Sequence, residues 1–305
     1  MTAKIVVVGS FNADLISYLK RMPRPGETVH GDTFVTGAGG KGSNQAVAAA
    51  RLGAEVTFIG RVGSDVFANL AYELWNAEGV NSDYVIQDEN HATGVAPIFV
   101  DSQGENMIVV VLGANLNIQQ SDIDAAKDRI AEADVLVVQL EINLDMVAYA
   151  LKAAKDKGIT TILNPAPAAA LPAETIQLAD YLTPNETELE TLSGAANKDV
   201  AASARSLLTR DGQTAVVTLG AQGAQIVSQN QSVRMAAFEV DVVDTTGAGD
   251  AFNAGLAVAL AEGKDLSAAV RFANATAALC VTKPGTASST PCRAEVEALH
   301  ASSPR

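Results

Sequence analysis

Cysteine and histidine are scarce in this 305-residue chain. The two cysteines, Cys280 and Cys292, are too few for a disulfide framework and read as free thiols. The three histidines, His30, His91 and His300, stand far apart without metal-ligand spacing. Positive charge is short as well: 21 Lys and Arg face 35 Asp and Glu, for a net charge of −14, and no basic run occurs. That balance argues against nucleic acid as a partner, because phosphate contacts need clustered Lys and Arg. No apolar segment approaches a membrane span. The first apolar run, in "MTAKIVVVGSFNADL", is too short for a signal peptide and meets Asn12 and Asp14 at once. The expectation is a cytoplasmic chain with neither nucleic-acid nor membrane partners.

What is present is a regular alternation. The β-branched runs "KIVVVG", "VTFIGRVG", "DVLVVQLE", "TTILNP" and "TAVVTLG" read as strands buried on both faces. Between them lie helical patterns such as "SNQAVAAARLG", "FANLAYELWNAEG" and "LDMVAYALKAAKDKG", ending near glycine. This predicts an α/β fold, a doubly wound and mostly parallel sheet flanked by helices. Residues 12–36 and 92–112 break the rhythm and read as antiparallel strands outside the main sheet, the second as a hairpin around "DSQGEN". They form either an edge hairpin or a small β-sheet lid over the site. No linker or repeat divides residues 1–305, so one domain with an appended lid is expected.

Two glycine-rich stretches carry the chemistry. In "TGAGGKGSNQA" the spacing Gly37, Gly39, Gly42 matches a dinucleotide turn, but it comes almost thirty residues after the first strand instead of directly behind it. Gly42 also stands where a P-loop needs Ser or Thr. A glycine-rich helix start with Lys41 and Asn44 beside it suits a polyol or an anion; a turn with a surface lysine is the plain alternative. The second stretch, "DTTGAGDAFNAG", places Gly247, Ala248 and Gly249 ahead of Asp250 at a helix start. Asp250 could simply cap that helix. A carboxylate beside free helix-start N–H groups is also what phosphoryl transfer to an alcohol needs, a base for the hydroxyl proton and a cradle for the moving charge.

These two stretches, with "LNPAPA" at 163–168, "TPNETE" at 183–188 and "TLGAQG" at 218–223, resemble the ribokinase/phosphofructokinase-B family of carbohydrate kinases over nearly the whole chain. The resemblance implies a ribokinase-like fold and ATP-dependent phosphorylation of the 5-hydroxyl of D-ribose, with 2-deoxyribose or another pentose or nucleoside as the alternative acceptor. It implies sugar contacts from Asn12, Asp14, Gly40, Lys41, Asn44 and Glu141. Asp250 is the implied base, and Gly247, Ala248 and Gly249 the anion hole. Asn185 and Glu188 would organise Mg²⁺ and the ATP phosphates, although Asn185-x-x-Glu188 is equally a capping box. Thr218, Gly220 and Gly223 would lie along the phosphates and ribose of ATP, and Asn274 next to the adenine. A K⁺ ion would sit among Asp244, Thr246, Cys280, Lys283, Gly285 and Ser289, mostly on backbone carbonyls. A homodimer joined through the β-lid is the implied assembly. Two other classes compete on the residues alone: a dinucleotide-dependent oxidoreductase, and a sugar sensor without catalysis. Missing glycines after the first strand count against one, and the intact Asp250 stretch against the other.

Overall fold

The computed structural model describes residues 2–195 and 199–302. The chain opens with β1 (Lys4–Val8), β2 (Asn12–Leu19), β3 (Gly31–Gly39) and α1 (Lys41–Arg51). Next come β4 (Glu55–Gly63), α2 (Val66–Glu78), β5 (Asn81–Asp88), β6 (Gly94–Val100) and β7 (Asn106–Ile108). The middle of the chain holds α3 (Gln120–Ala125), α4 (Lys127–Glu132), β8 (Val135–Val138), α5 (Leu144–Lys155), β9 (Thr160–Leu163), α6 (Ala173–Leu178) and β10 (Tyr181–Leu182). The last part holds α7 (Glu186–Ser193), α8 (Val200–Leu207), β11 (Thr214–Thr218), β12 (Ala224–Val227), β13 (Ser232–Met235), α9 (Ala248–Ala261), α10 (Leu266–Cys280) and α11 (Arg293–Ser302).

Nine strands form the main sheet, in the order β13-β12-β11-β10-β9-β8-β1-β4-β5. Pairing is parallel from β5 to β11, and β12 and β13 are added antiparallel at one edge. The apolar runs explain the burial. Along β1, Ile5 and Val7 point into one core with α1, α2, α9 and α10, while Val6 and Val8 point into a second core with α3 to α8. The same division holds in β8, with Val135 and Val137 on one face and Leu136 and Val138 on the other. Each such side chain contributes about 1.5–3 kcal/mol by leaving water. The chain runs outward from β1 to β4 and β5 on one side and through β8 to β11 on the other, so direction reverses between β1 and β8. In open α/β sheets that reversal opens a crevice at the carboxyl ends of the strands.

The segments that broke the rhythm form a separate four-stranded sheet, β3-β2-β6-β7. β6 and β7 make the expected hairpin, with Ile98 opposite Ile108. The expectation of antiparallel strands needs one correction, because β2 and β6 are parallel. Between them the chain passes through α1, β4, α2 and β5, so both strands leave the body in the same direction and no turn could join them. β3 also runs three residues beyond the expected 12–36 segment, to Gly39. Gly37 pairs with Asp14 and Gly39 with Asn12. A Cβ at Gly39 would lie 2.5–2.7 Å from the Asp14 carboxylate. The glycine spacing that imitates a dinucleotide turn therefore makes room for a carboxylate.

Both cysteines are free thiols. Among the described residues, no helix is long and apolar enough to cross a membrane.

Candidate active site

Side chains converge at the carboxyl edge of the parallel strands. Asn12 follows β1, Glu141 follows β8, Asn164 follows β9, and Thr183 and Asn185 follow β10. The first turns of α1 and α9 meet them there. Lys41, Asn185, Glu188, Thr218, Gly249 and Asp250 line one cleft of about 210 Å³.

α1 starts at Lys41, two residues earlier than its apolar pattern suggests. Its N-cap is Gly40, whose φ of 88° suits glycine, and a Cβ there would sit 2.7 Å from the Asn12 amide nitrogen. The N–H groups of this helix start are already taken. The Lys41 N–H donates to Glu141 Oε2 at 2.9 Å, and the Ser43 N–H donates to the Ser10 carbonyl at 2.9 Å. A carboxylate against a helix N-terminus is electrostatically favourable. Glu141 Oε2 also accepts from Ser10 Oγ at 2.5 Å and from Asn12 Nδ2 at 3.3 Å. Glu141 thus ties the turn after β1 to α1.

Asp14 is buried beside this cluster. Burial, and then the neighbouring Glu141 charge, push its carboxyl up to about 7. Lys41 answers the acids around it. Burial alone would lower its ammonium, but Asp250, Glu141 and Glu188 outweigh that and leave it raised. Asn44 is buried with its Oδ1 unpartnered, a free acceptor.

Asp250 lies in the first turn of α9 and is 7% exposed. It does not cap that helix. Its Oδ2 accepts from Asn44 Nδ2 at 2.9 Å and its Oδ1 from Gln45 Nε2 at 3.0 Å, so both oxygens are held by α1. The N-cap of α9 is Gly247, with φ 78° and no side-chain cap. The N-terminal dipole of α9 therefore faces the cleft beside a fixed carboxylate.

On the far side of the cleft, Asn185 and Glu188 form a complete capping box at α7. The Asn185 N–H donates to Glu188 Oε2 at 2.8 Å, and the Glu188 N–H donates to Asn185 Oδ1 at 2.8 Å. Asn185 Nδ2 adds a bond to Glu188 Oε1 at 3.0 Å. Burial leads in raising the Glu188 carboxyl, with Asp250 adding to it and the Asn185 N–H and Lys41 opposing. Thr218 ends β11, and Gly220 and Gly223 shape the turn into β12. Asn274 is buried, and its amide donates to the carbonyls of Met235 and Ala236 at 3.3 and 3.0 Å.

The remaining sequence candidates gather in two loops that touch. Asp244 Oδ1 accepts from the Thr246 N–H and hydroxyl, and Oδ2 from the Gly285 N–H at 3.0 Å. The Asp244 carboxyl is lowered: burial opposes this, and the Thr246 and Gly285 donors outweigh it. Ser289 Oγ donates to the Gly285 carbonyl and lies 3.1 Å from Cys280 Sγ. The Lys283 side chain turns outward to Glu295. Among the described residues no three His, Cys, Asp or Glu side chains converge as a metal cage.

Sequence reasoning missed Ser10, Gln45, Gln139, Asn164, Thr183 and Asn253. Asn164 and Thr183 lie in "LNPAPA" and "TPNETE", which marked the region without marking the residue.

The family model described as pfkB family carbohydrate kinase matches residues 2–293. Over 298 residues the chain is 41% identical to the ribokinase of Haemophilus influenzae, covering 97% of each. It is 40% identical over 291 residues to the deoxyribokinase of Salmonella typhi, covering 94% of this chain and 95% of that one. Among solved structures, Arabidopsis thaliana ribokinase complexed with ribose and ATP is similar with a TM-score of 0.91 at 35% identity, covering 99% of this chain and 100% of the other.

Proposed function

The chain belongs to the pfkB family of carbohydrate kinases, and we propose that it transfers the γ-phosphoryl group of ATP to the 5-hydroxyl of D-ribose. The observation that carries this reading is Asp250, gripped at both carboxylate oxygens beside the uncapped start of α9. Ribose lies between the lid base and α1, contacting Asn12, Asp14, Gly40, Lys41, Asn44 and Glu141. Carboxylates and amides suit a neutral polyol, and the unpartnered Asn44 Oδ1 accepts from a sugar hydroxyl. Asp250 accepts the 5-hydroxyl proton as that oxygen bonds to the γ-phosphorus. The bond from the γ-phosphorus to the bridging β–γ oxygen breaks, and ADP leaves. The N–H groups of Gly247, Ala248 and Gly249 hold charge on the moving group.

ATP extends past Thr218, Gly220 and Gly223. Asn274 fixes the carbonyls of Met235 and Ala236, and so the wall beside the adenine. Asn185 and Glu188 would hold Mg²⁺ through water, since their own oxygens and amides already bond each other. When bound, that ion neutralises phosphate charge. A K⁺ ion would rest against Asp244, Thr246, Cys280, Lys283, Gly285 and Ser289, with carbonyls as the main donors. The lid supports a homodimer. Strand alternation puts Asn12, Asp14, Ile16 and Tyr18 on one face of β2 and Ser17 on the other, next to Phe34 and Phe99. Phe34 is 61% exposed on that second face, and Ile108, in line with Ile98 and Ile16, is 51% exposed on the first; a sheet apolar on both faces buries one over the sugar and one against a second lid.

A second reading, 2-deoxyribose as acceptor, is favoured by the deoxyribokinase relative at 40% identity. ADP release with ribose, 2-deoxyribose, hexoses and nucleosides decides. The proposal expects the highest kcat/KM with ribose; a clear preference for 2-deoxyribose supports the second reading, and no turnover of any sugar rejects both.

A further inference from the structure

We propose that Gln45 is a positioning residue that holds the Asp250 carboxylate for proton transfer, at the head of a buried amide chain that also braces the turn into α9. The inference rests on the phosphoryl-transfer reading above. Gln45 Nε2 has two hydrogens, and both are used: one goes to Asp250 Oδ1 and one to Asn164 Oδ1, each at 3.0 Å. Gln45 Oε1 accepts from Gln139 Nε2 at 2.6 Å. Because that oxygen is committed to Gln139, the nitrogen must face Asp250, and the amide has one orientation.

The chain continues across the sheet. Asn164 Nδ2 donates to the Thr183 carbonyl at 3.1 Å, and Thr183 Oγ1 donates to Asn253 Oδ1 at 2.6 Å. Asn253 Nδ2 then donates to the Gly249 carbonyl at 2.8 Å. The path leaves Asp250, passes the ends of β9 and β10, and returns to the residue directly before Asp250. Gln45, Asn164, Thr183 and Asn253 are 1–5% exposed. A run of buried amides in an otherwise apolar α/β core is costly where a group is left unsatisfied; the side-chain oxygens and nitrogens of Gln45, Asn164, Thr183 and Asn253 all have partners, which fixes their geometry, while Gln139 Oε1 has none. Here that geometry includes the base and the backbone of the anion hole together. Asn44 holds the other oxygen of Asp250, but it also faces the sugar site. Gln45, 1% exposed, stands behind the carboxylate. Its effect on the reaction therefore passes through Asp250.

The test is a double-mutant cycle on the full chain. Gln45→Met keeps the volume and removes the donors. We expect kcat to fall by about tenfold to a hundredfold, the scale of a misplaced reacting group, with KM for ribose and for ATP changed by less than about twofold. In an Asp250→Asn background the same substitution should cost nothing further, because the group it acts through is gone. An unchanged kcat, a loss that persists in full in the Asp250→Asn background, or a rise in both KM values at constant kcat would each overturn the proposal. Should Gln45→Met not fold, Gln139→Met carries the test, since it frees the Gln45 amide to rotate: a loss of kcat at constant KM is expected, and unaltered kinetics overturn the idea. Turnover of 2-deoxyribose instead of ribose by the wild-type enzyme would overturn only the substrate assignment, and the cycle is then read with that sugar.

Discussion

Replacing Asp14 with asparagine should make the sugar-free protein more stable and the sugar site worse, and the stability gain should depend on pH. Asp14 is buried beside Glu141, and its carboxyl is raised from 3.8 to about 7 by burial and by that neighbour. Below about pH 4 folded and unfolded chains both carry the proton, and the residue costs nothing. Between about pH 4 and 7 the unfolded chain releases the proton while the folded chain keeps it, so stability falls as pH rises. Above about pH 7 the loss levels off, at about 4 kcal/mol for a rise of this size. The substituted amide carries no charge to bury. Urea denaturation of both proteins between about pH 4 and 8 should show an advantage for Asp14→Asn that grows to at most about 4 kcal/mol and then stays flat. Ribose affinity should drop by roughly 1–3 kcal/mol, because sugar hydroxyls lose a carboxyl oxygen as partner. A stability difference that does not change across this pH range would refute the claim that Asp14 holds its proton near neutrality.

Three further outcomes are expected. Gly40→Ala forces a Cβ to within 2.7 Å of the Asn12 nitrogen at a φ of 88°; it should cost about 2 kcal/mol or more of stability and weaken ribose binding in calorimetry, and a neutral substitution would mean that the turn relaxes. K⁺ should activate better than Na⁺ in a large organic-cation buffer at constant ionic strength, because carbonyl donors with one carboxylate suit a large, weakly hydrated ion; equal rates would leave Asp244 as a loop residue. Saturating ribose should slow hydrogen exchange in β2, β3, β6 and β7 as the lid closes over the site, and unchanged exchange there would make this sheet a rigid appendage.

The main sheet was legible because its strands are apolar on both faces, as "KIVVV" and "VLVV" show, and only a doubly covered sheet buries such runs. Strand direction in the lid was not legible, since alternation marks a strand without marking its neighbour. The glycines at 37–42 were visible, but their purpose was not. It emerges only when Asp14 stands opposite Gly37, with Gly39 packed against its carboxylate. Asp250 could be picked out because a helix start and small residues surround it in sequence. The role of Gln45 could not: it stands inside "TGAGGKGSNQA", but its partners Gln139 and Asp250 lie 94 and 205 residues away. Asn274 and Lys283 show the reverse case. Both were singled out by resemblance, and one side chain is spent on the carbonyls of Met235 and Ala236 and the other on Glu295.

The central claim is that Asp250 takes the proton from the ribose 5-hydroxyl as the phosphoryl group arrives. The most direct measurement follows wild-type protein and Asp250→Ala by phosphorus and carbon NMR with ribose, ATP and Mg²⁺. The account predicts that the wild-type product carries phosphate on carbon 5, and that Asp250→Ala forms it at least about a hundredfold more slowly while still binding both substrates. Phosphate at another carbon, or near wild-type turnover without Asp250, would contradict it.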